Sequence, residues 1–139
     1  MNNSVAIWVG RFDSDQELQD YLDIDYAAEQ DNSEYMASEF AEAFKIFHHD
    51  EDFREAYRTE AEPVSWAGLA EPLSYAEGFA HTVPNISDRN NSIIALYNYT
   101  YPGTVHGTEN VLFVGNYTYL SPPAPPLLRR YVPGARFRL

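Results

Sequence analysis

The first apolar run of the chain has the pattern of a strand that is buried on both faces. It extends from Ser4 to Gly10 without a charged residue, whereas a half-exposed strand would alternate apolar and polar positions. Ser14 and Glu17 follow with the spacing of a capping box, which marks the start of a helix. Leu18 and Leu22 then recur at helical spacing. The pattern predicts a buried strand followed by a helix of about two turns.

A second helix is predicted from the regular spacing of large apolar residues. Met36, Phe40 and Phe44 are four positions apart and form one stripe. We expect this helix to extend from about residue 33 to residue 44. Residues 47–53 break the spacing and predict a turn of the chain.

The middle of the chain carries weaker signals. Residues 55–60 suggest a further helical turn, and residues 64–69, bracketed by prolines, suggest a strand or a buried loop. Ser74 and Glu77 form a second capping box. It predicts a helix that Pro84 ends.

The clearest strands lie in the second half of the sequence. In Ser92 to Tyr101 and in Asn110 to Leu120, tyrosines alternate with polar residues, so that Tyr97 and Tyr101 would share one face. Pro102-Gly103 between the two runs predicts an antiparallel hairpin. The predicted fold is therefore α+β, a single domain with a mainly antiparallel sheet and helices packed against it.

The length and the end of the sequence define the expected domain. The chain has 139 residues, which suits one domain, and we place an α+β domain at residues 1–120. Ser121 to Pro126 contains four prolines and predicts an extended polyproline segment. Four arginines and no acidic residue follow. We therefore treat residues 121–139 as a Pro/Arg-rich C-terminal tail.

Charge changes the picture because it is strongly uneven. The net charge is −12, and residues 1–62 hold 17 acidic and four basic residues, whereas residues 63–139 hold four acidic and five basic residues. Such a chain should repel DNA, RNA and anionic membranes. The absence of cysteine excludes a disulfide scaffold and a thiolate metal site. We expect no nucleic-acid partner and no membrane partner.

The sequence lacks the motifs of common enzymes. Glycine-rich phosphate loops and the Gly-x-Ser-x-Gly nucleophile elbow do not occur. His48 to Asp52 offers imidazole and carboxylate groups, but adjacent residues do not converge easily on one ion, and we interpret the run as a solvated acidic turn. We expect no catalysis, no cofactor and no metal. A hydrolase that uses paired carboxylates is kept as an alternative.

Two acidic runs in residues 1–62 are the strongest functional signal in the residues themselves. A single run is commonly a solvated surface, but two runs in one half of the chain favour a basic partner. Nuclease domains are such partners, because they hold phosphates with Lys and Arg. The predicted partner-binding residues are Asp50, Glu51, Asp52 and Glu55 first, and then Asp25, Glu29, Asp31 and Glu34.

Several short motifs, taken in their order along the chain, resemble the immunity protein 22 family of bacterial polymorphic toxin systems. The resemblance covers about residues 4–120. It is carried by Ile7-Trp8-Val9-Gly10 with Phe12 and Tyr21-Leu22, Ser38-Glu39-Phe40, Phe44-Lys45-Ile46, Asp50-Glu51-Asp52-Phe53, Asn91-Ser92-Ile93-Ile94-Ala95-Leu96-Tyr97-Asn98-Tyr99 and Leu112-Phe113-Val114-Gly115-Asn116-Tyr117.

The resemblance implies a small α+β protein that binds a cognate toxin, often a nuclease, and prevents self-intoxication without catalysis or a cofactor. Since no basic leader precedes the first apolar run, we expect a cytoplasmic location. One alternative is a non-catalytic adaptor whose polyproline tail docks an aromatic groove.

Overall fold

The chain forms a four-stranded antiparallel sheet. The structure, a computed structural model, describes residues 2–24, 38–46, 51–60, 65–83 and 89–120. The strands are β1 (Asn2–Gly10), β2 (Arg54–Arg58), β3 (Ser92–Tyr97) and β4 (Val111–Leu120). They lie in the order β2-β3-β1-β4, and all neighbouring pairs are antiparallel. Helices pack on the sheet, which confirms the predicted α+β fold.

β1 separates two hydrophobic cores, as the uninterrupted apolar run predicts. Ala6 and Trp8 enter one core, which we call the Trp8 core. Its helices are α1 (Asp15–Leu22) and α2 (Glu39–Phe44). Alternate β1 residues enter the Phe79 core on the other face, together with α3 (Trp66–Ala70) and α4 (Ala76–Phe79). Because a strand alternates its side chains, a strand between two cores needs apolar residues at every position.

Serine hydroxyls begin both helices of the Trp8 core. Ser14 Oγ accepts the N–H of Glu17 at 3.1 Å, which confirms the predicted N-cap of α1. Ser38 Oγ accepts the N–H of Ala41 at 3.0 Å. Because Ser38 has an extended backbone, α2 begins at Glu39 and the expected continuous helix from residue 33 is wrong. Residues 33–37 themselves lie outside the described residues.

The segment expected to form a helical turn at residues 55–60 instead contains β2. Arg54 to Arg58 pairs with β3 from Leu96 to Ser92. The residues have good helical propensity, but Ala56 and Tyr57 become buried against different cores, as strand geometry requires. Tertiary pairing therefore overrides local preference here.

Two further predictions in the middle of the chain are wrong. Residues 65–70 are not a strand or a loop: Ser65 Oγ accepts the N–H of Gly68 at 3.1 Å and caps α3. The second capping box also does not form, because α4 follows Tyr75, which has a φ of 61°. The helical turns end at Thr82, and Pro84 lies outside the described residues.

The predicted hairpin of the last two strands does not exist, because β1 lies between β3 and β4. β3 also ends at Tyr97, and Asn98 turns the chain with a φ of 56°. Tyr97 therefore enters the Phe79 core, whereas Tyr101 enters the Trp8 core, so these tyrosines do not share a face.

Candidate functional site

The structure places three of the eight predicted partner-binding residues. Glu51 and Asp52 belong to a short 3-10 helix, Glu51–Phe53, and Asp52 is exposed there. Glu55 follows in β2 and is half-buried. The remaining five, Asp25, Glu29, Asp31, Glu34 and Asp50, lie outside the described residues, as do His48, His49 and the tail.

The carboxylate of Glu55 is held in place by one residue of the α3–α4 connection. The backbone N–H of Ser74 donates to Glu55 Oε1 at 2.9 Å, and the Ser74 hydroxyl donates to Oε2 at 2.5 Å. The orientation of Glu55 is therefore fixed, which an acidic run in a sequence does not reveal. Ser74 does not cap α4, because Tyr75 occupies the N-cap position of that helix.

Two buried tyrosines border the same carboxylate. The hydroxyls of Tyr57 and Tyr97 lie 3.5 Å and 3.4 Å from Glu55 Oε1, at the outer limit of a hydrogen bond. Tyr97 donates its proton to the Ser74 carbonyl at 2.6 Å. Burial, and then the charge of Glu55, raise the pKa of Tyr57 and of Tyr97 above the usual value for a phenol. Both phenols therefore stay neutral beside the carboxylate at physiological pH.

An exposed aromatic residue accompanies these acidic positions. Phe53 is 42% exposed and ends the 3-10 helix, two residues before Glu55. Large apolar side chains with such exposure are few among the described residues, the other being Leu112 at 47%. Sequence reasoning missed Phe53, because a single phenylalanine beside acidic residues is normally assigned to a core.

The arginines of β2 point away from this site and hold α1. Arg54 is almost fully buried, and its Nη1 donates to the carbonyl of Leu22 at 3.1 Å, at the C-terminal end of α1. Arg58 donates to the carbonyls of Phe12 and Asp13, both at 2.8 Å, just before α1. Alternate strand residues face opposite sides. The same alternation therefore turns Arg54 and Arg58 toward the Trp8 core and Glu55 toward the Phe79 core.

Several buried polar residues of the described part of the chain are bonded within the fold. In this part of the chain, no group of three or more His, Cys, Asp or Glu side chains is arranged to hold a metal ion. The buried polar residues Ser38, Asn91 and Ser92 form hydrogen bonds inside the fold. Among the helices of the described residues, none combines the length and the apolar character that crossing a membrane requires.

Comparison with protein-family models decides the classification. The model described as Immunity protein 22 matches residues 5–120, which is most of the chain. The chain belongs to the immunity protein 22 family. A search of curated proteins and a search of solved structures each found no match to this chain.

Membership of the immunity protein 22 family supports the role of an immunity protein for this chain and implies binding to a cognate toxin. Every described residue of the Glu55 site lies within the matched range, 5–120. The site of this immunity protein thus combines a fixed carboxylate, an exposed aromatic ring and an exposed acidic neighbour, all on one short segment. Such a mixture is typical of protein interfaces, where aromatic residues supply contact area and charges supply specificity.

Proposed function

We propose that this immunity protein binds a basic toxin domain, a nuclease effector, through an acidic surface and blocks it without catalysing a reaction. The observation that carries the proposal is the opposite placement of charges in the described parts of residues 1–62. Two of the four basic residues there, the buried Arg54 and the largely buried Arg58, donate inward to backbone carbonyls, whereas Arg11 and Lys45 are exposed. Most of the described carboxylates of this half, in contrast, face outward.

The outward carboxylates are mostly on α1, α2 and the segments that flank them. Each of these residues is exposed to solvent: Asp13, Glu17, Asp20, Asp23, Glu39, Glu42, Asp52 and Glu60. Charges of one sign on one part of a surface attract an oppositely charged partner over about a Debye length or more. This supports an acidic surface that extends beyond the two predicted runs.

A nuclease fits such a surface because it must hold phosphates with Lys and Arg. An acidic protein on that site excludes nucleic acid by charge and by bulk. Attraction of the charges can raise association to about 10⁸–10⁹ M⁻¹s⁻¹ at low salt. We place the contact at Asp50, Glu51, Asp52 and Glu55, with Asp25, Glu29, Asp31 and Glu34 as a second group, and we propose that binding occurs in the cytoplasm of the producing cell.

The proposal predicts that a gene beside this one encodes the toxin domain, and that domain is used to test it. Cells that express that domain should survive only when this chain is co-expressed, and the purified chain should stop nucleic-acid cleavage at equimolar concentration. Cleavage that continues with the chain in excess would contradict neutralisation of a nuclease. The same measurement with Asp50→Lys and Asp52→Lys together tests the surface.

The double reversal should slow association with the toxin domain at low salt by about tenfold or more and should flatten its salt dependence, because it removes steering charge. The matched control reverses two exposed acids in the second half of the chain, Glu77→Lys and Glu109→Lys, which gives the same change in net charge. Stopped-flow fluorescence at several salt concentrations measures both. Equal effects in the two double variants would show that only net charge matters and that the assigned surface is wrong.

A further inference from the structure

Glu55 differs from Asp52, the other assigned acidic residue whose exposure the structure describes, because it is half-buried and Ser74 holds its carboxylate. Asp52, three positions earlier, is exposed to solvent. Solvent screens the ion pairs of an exposed carboxylate, so that these pairs contribute little. A carboxylate that the fold already orients loses less conformational entropy when it binds, and its partial burial strengthens each charged hydrogen bond.

The Glu55 carboxylate keeps acceptor capacity for a cation. A carboxylate has about four acceptor positions, and the two bonds from Ser74 occupy one on each oxygen. The hydroxyls of Tyr57 and Tyr97 also lie against Oε1, so the remaining capacity is mainly on Oε2. Among the described residues, no cationic side chain forms an ion pair with Glu55, since the arginines of β2 bond on the opposite face. The negative charge is therefore partly removed from water without a cationic partner in the described fold.

The position of Glu55 also makes it reachable. β2 is at one edge of the four-stranded sheet, and β3 is its only neighbour among the described strands. Phe53, which ends the 3-10 helix just before this strand, adds an exposed ring two residues before Glu55. Cations are attracted to the face of an aromatic ring, and arginine in particular stacks on such rings while it binds a carboxylate.

We propose that Glu55 and Phe53 form a socket for one arginine side chain of the toxin, in which Glu55 accepts from the guanidinium and Phe53 covers its apolar face. This inference rests on the proposed function and distinguishes the residues that control association from those that control dissociation. Exposed carboxylates such as Asp52 set the association rate. The socket sets the dissociation rate, because rigid, partly desolvated anchors dominate the lifetime of complexes.

Surface plasmon resonance with the toxin domain encoded beside this gene tests the socket. Glu55→Gln keeps the shape and one oxygen for Ser74 but removes the charge, and it should raise the dissociation rate roughly tenfold or more. Asp52→Asn removes the same charge from an exposed position and should leave dissociation within about twofold while it slows association at low salt. Folded Glu55→Gln that dissociates at the wild-type rate would overturn the socket. Failure of the wild-type chain to bind would instead overturn the proposed function.

Two further measurements do not depend on how well Glu55→Gln folds. Phe53→Ala changes an exposed side chain and should raise the dissociation rate by about threefold or more. In the wild-type chain, the amide proton of Ser74 reports on the carboxylate directly, because it donates to Glu55 Oε1. Its NMR shift should move when the toxin domain saturates the chain. Unchanged dissociation of Phe53→Ala together with an unmoved Ser74 amide would also overturn the socket.

Discussion

At the scale of single residues, Asn91 and Asn116 use their amide groups in the same way but in different surroundings. Asn91 Oδ1 accepts the N–H of Phe12 at 3.0 Å, and its Nδ2 donates to the Phe12 carbonyl at 2.9 Å. Asn116 bonds the N–H and the carbonyl of Tyr101, both at 2.8 Å. Asn91 is 4% exposed, whereas Asn116 is exposed.

This pair predicts that the same substitution has unequal costs. Asn91→Ala should lower the free energy of unfolding by about 2–4 kcal/mol, because the buried N–H of Phe12 loses its partner and water cannot replace it. Asn116→Ala should cost less, about 0.5–1.5 kcal/mol, since the two bonds of Asn116 are only partly buried whereas those of Asn91 are buried. Urea denaturation of both variants measures the difference. Equal losses in the free energy of unfolding would show that burial does not control how much these hydrogen bonds contribute to stability.

Local partners were readable from the sequence at this scale, and distant partners were not. Ser14 caps the N–H of Glu17 three positions later, so its role follows from spacing alone. Asn91 bonds a residue 79 positions away. Glu55 illustrates the same limit at the candidate site, because its acidic character was visible but its attachment to Ser74, 19 positions later, was not.

At the scale of elements, β2 and α1 are joined by the two arginines that lie four positions apart in the strand. Arg54 bonds the C-terminal end of α1, and Arg58 bonds the segment before its start. Four strand residues span about 13 Å, and the eight residues of α1 span about 12 Å. Strand and helix therefore match in length, and the strand runs against the direction of the helix.

Arg58 should be irreplaceable by lysine in this arrangement. Its Nε and Nη2 reach two different carbonyls, and Nη1 lies near Asp15 at 3.5 Å and also contacts Glu60. One ammonium cannot donate to these groups together. Arg58→Lys should therefore weaken protection of the α1 amides by about 1–2 kcal/mol, as measured by hydrogen exchange, while the amides of the central strand β1 stay protected.

The control for Arg58→Lys is Arg11→Lys, because Arg11 is exposed and donates from Nη1 to the carbonyl of Arg89 at 2.9 Å. This change should leave α1 protection within about 0.5 kcal/mol of the wild-type value. If α1 exchanges no faster in Arg58→Lys than in the control, the helix is held by its apolar face alone. The β2 strand itself was missed in the sequence because its stability comes from pairing with β3, which follows 34 positions or more later.

At the scale of the whole molecule, the position of β1 explains which predictions failed. The sequence identified β1, β3 and β4 as strands, and sequential strands are neighbours roughly two-thirds of the time. Here the first strand of the chain is inserted between the last two. No local signal distinguishes this order from a β3–β4 hairpin. Ile93, Ile94 and Val111 are buried beside β1, and the same apolar residues would also suit a hairpin.

The two cores on either side of β1 also hold many of the tyrosines, and this predicts how the molecule responds to alkaline pH. Burial is the main cause that raises the pKa of six tyrosines above the usual value of 10.0: Tyr21, Tyr57, Tyr97, Tyr99, Tyr101 and Tyr117. In the unfolded chain these phenols ionise near the usual value. Their contribution to stability is therefore complete below about pH 9 and is lost as the pH rises through the raised values.

We accordingly expect the midpoint of urea unfolding to stay constant up to about pH 9 and to fall steeply between about pH 10 and pH 11, because the unfolded state then releases more protons than the folded state. Trp8, which is fully buried, supplies the fluorescence signal for unfolding, and the ultraviolet absorbance of phenolate counts the ionised tyrosines. Tyr117→Phe removes one of these half-buried phenols. The free energy of unfolding should then decrease less steeply with pH, by up to about 1.4 kcal/mol per pH unit. If all tyrosines ionised while Trp8 fluorescence stayed native, the folded chain would tolerate phenolate in both cores, and burial could not be the cause of the raised values.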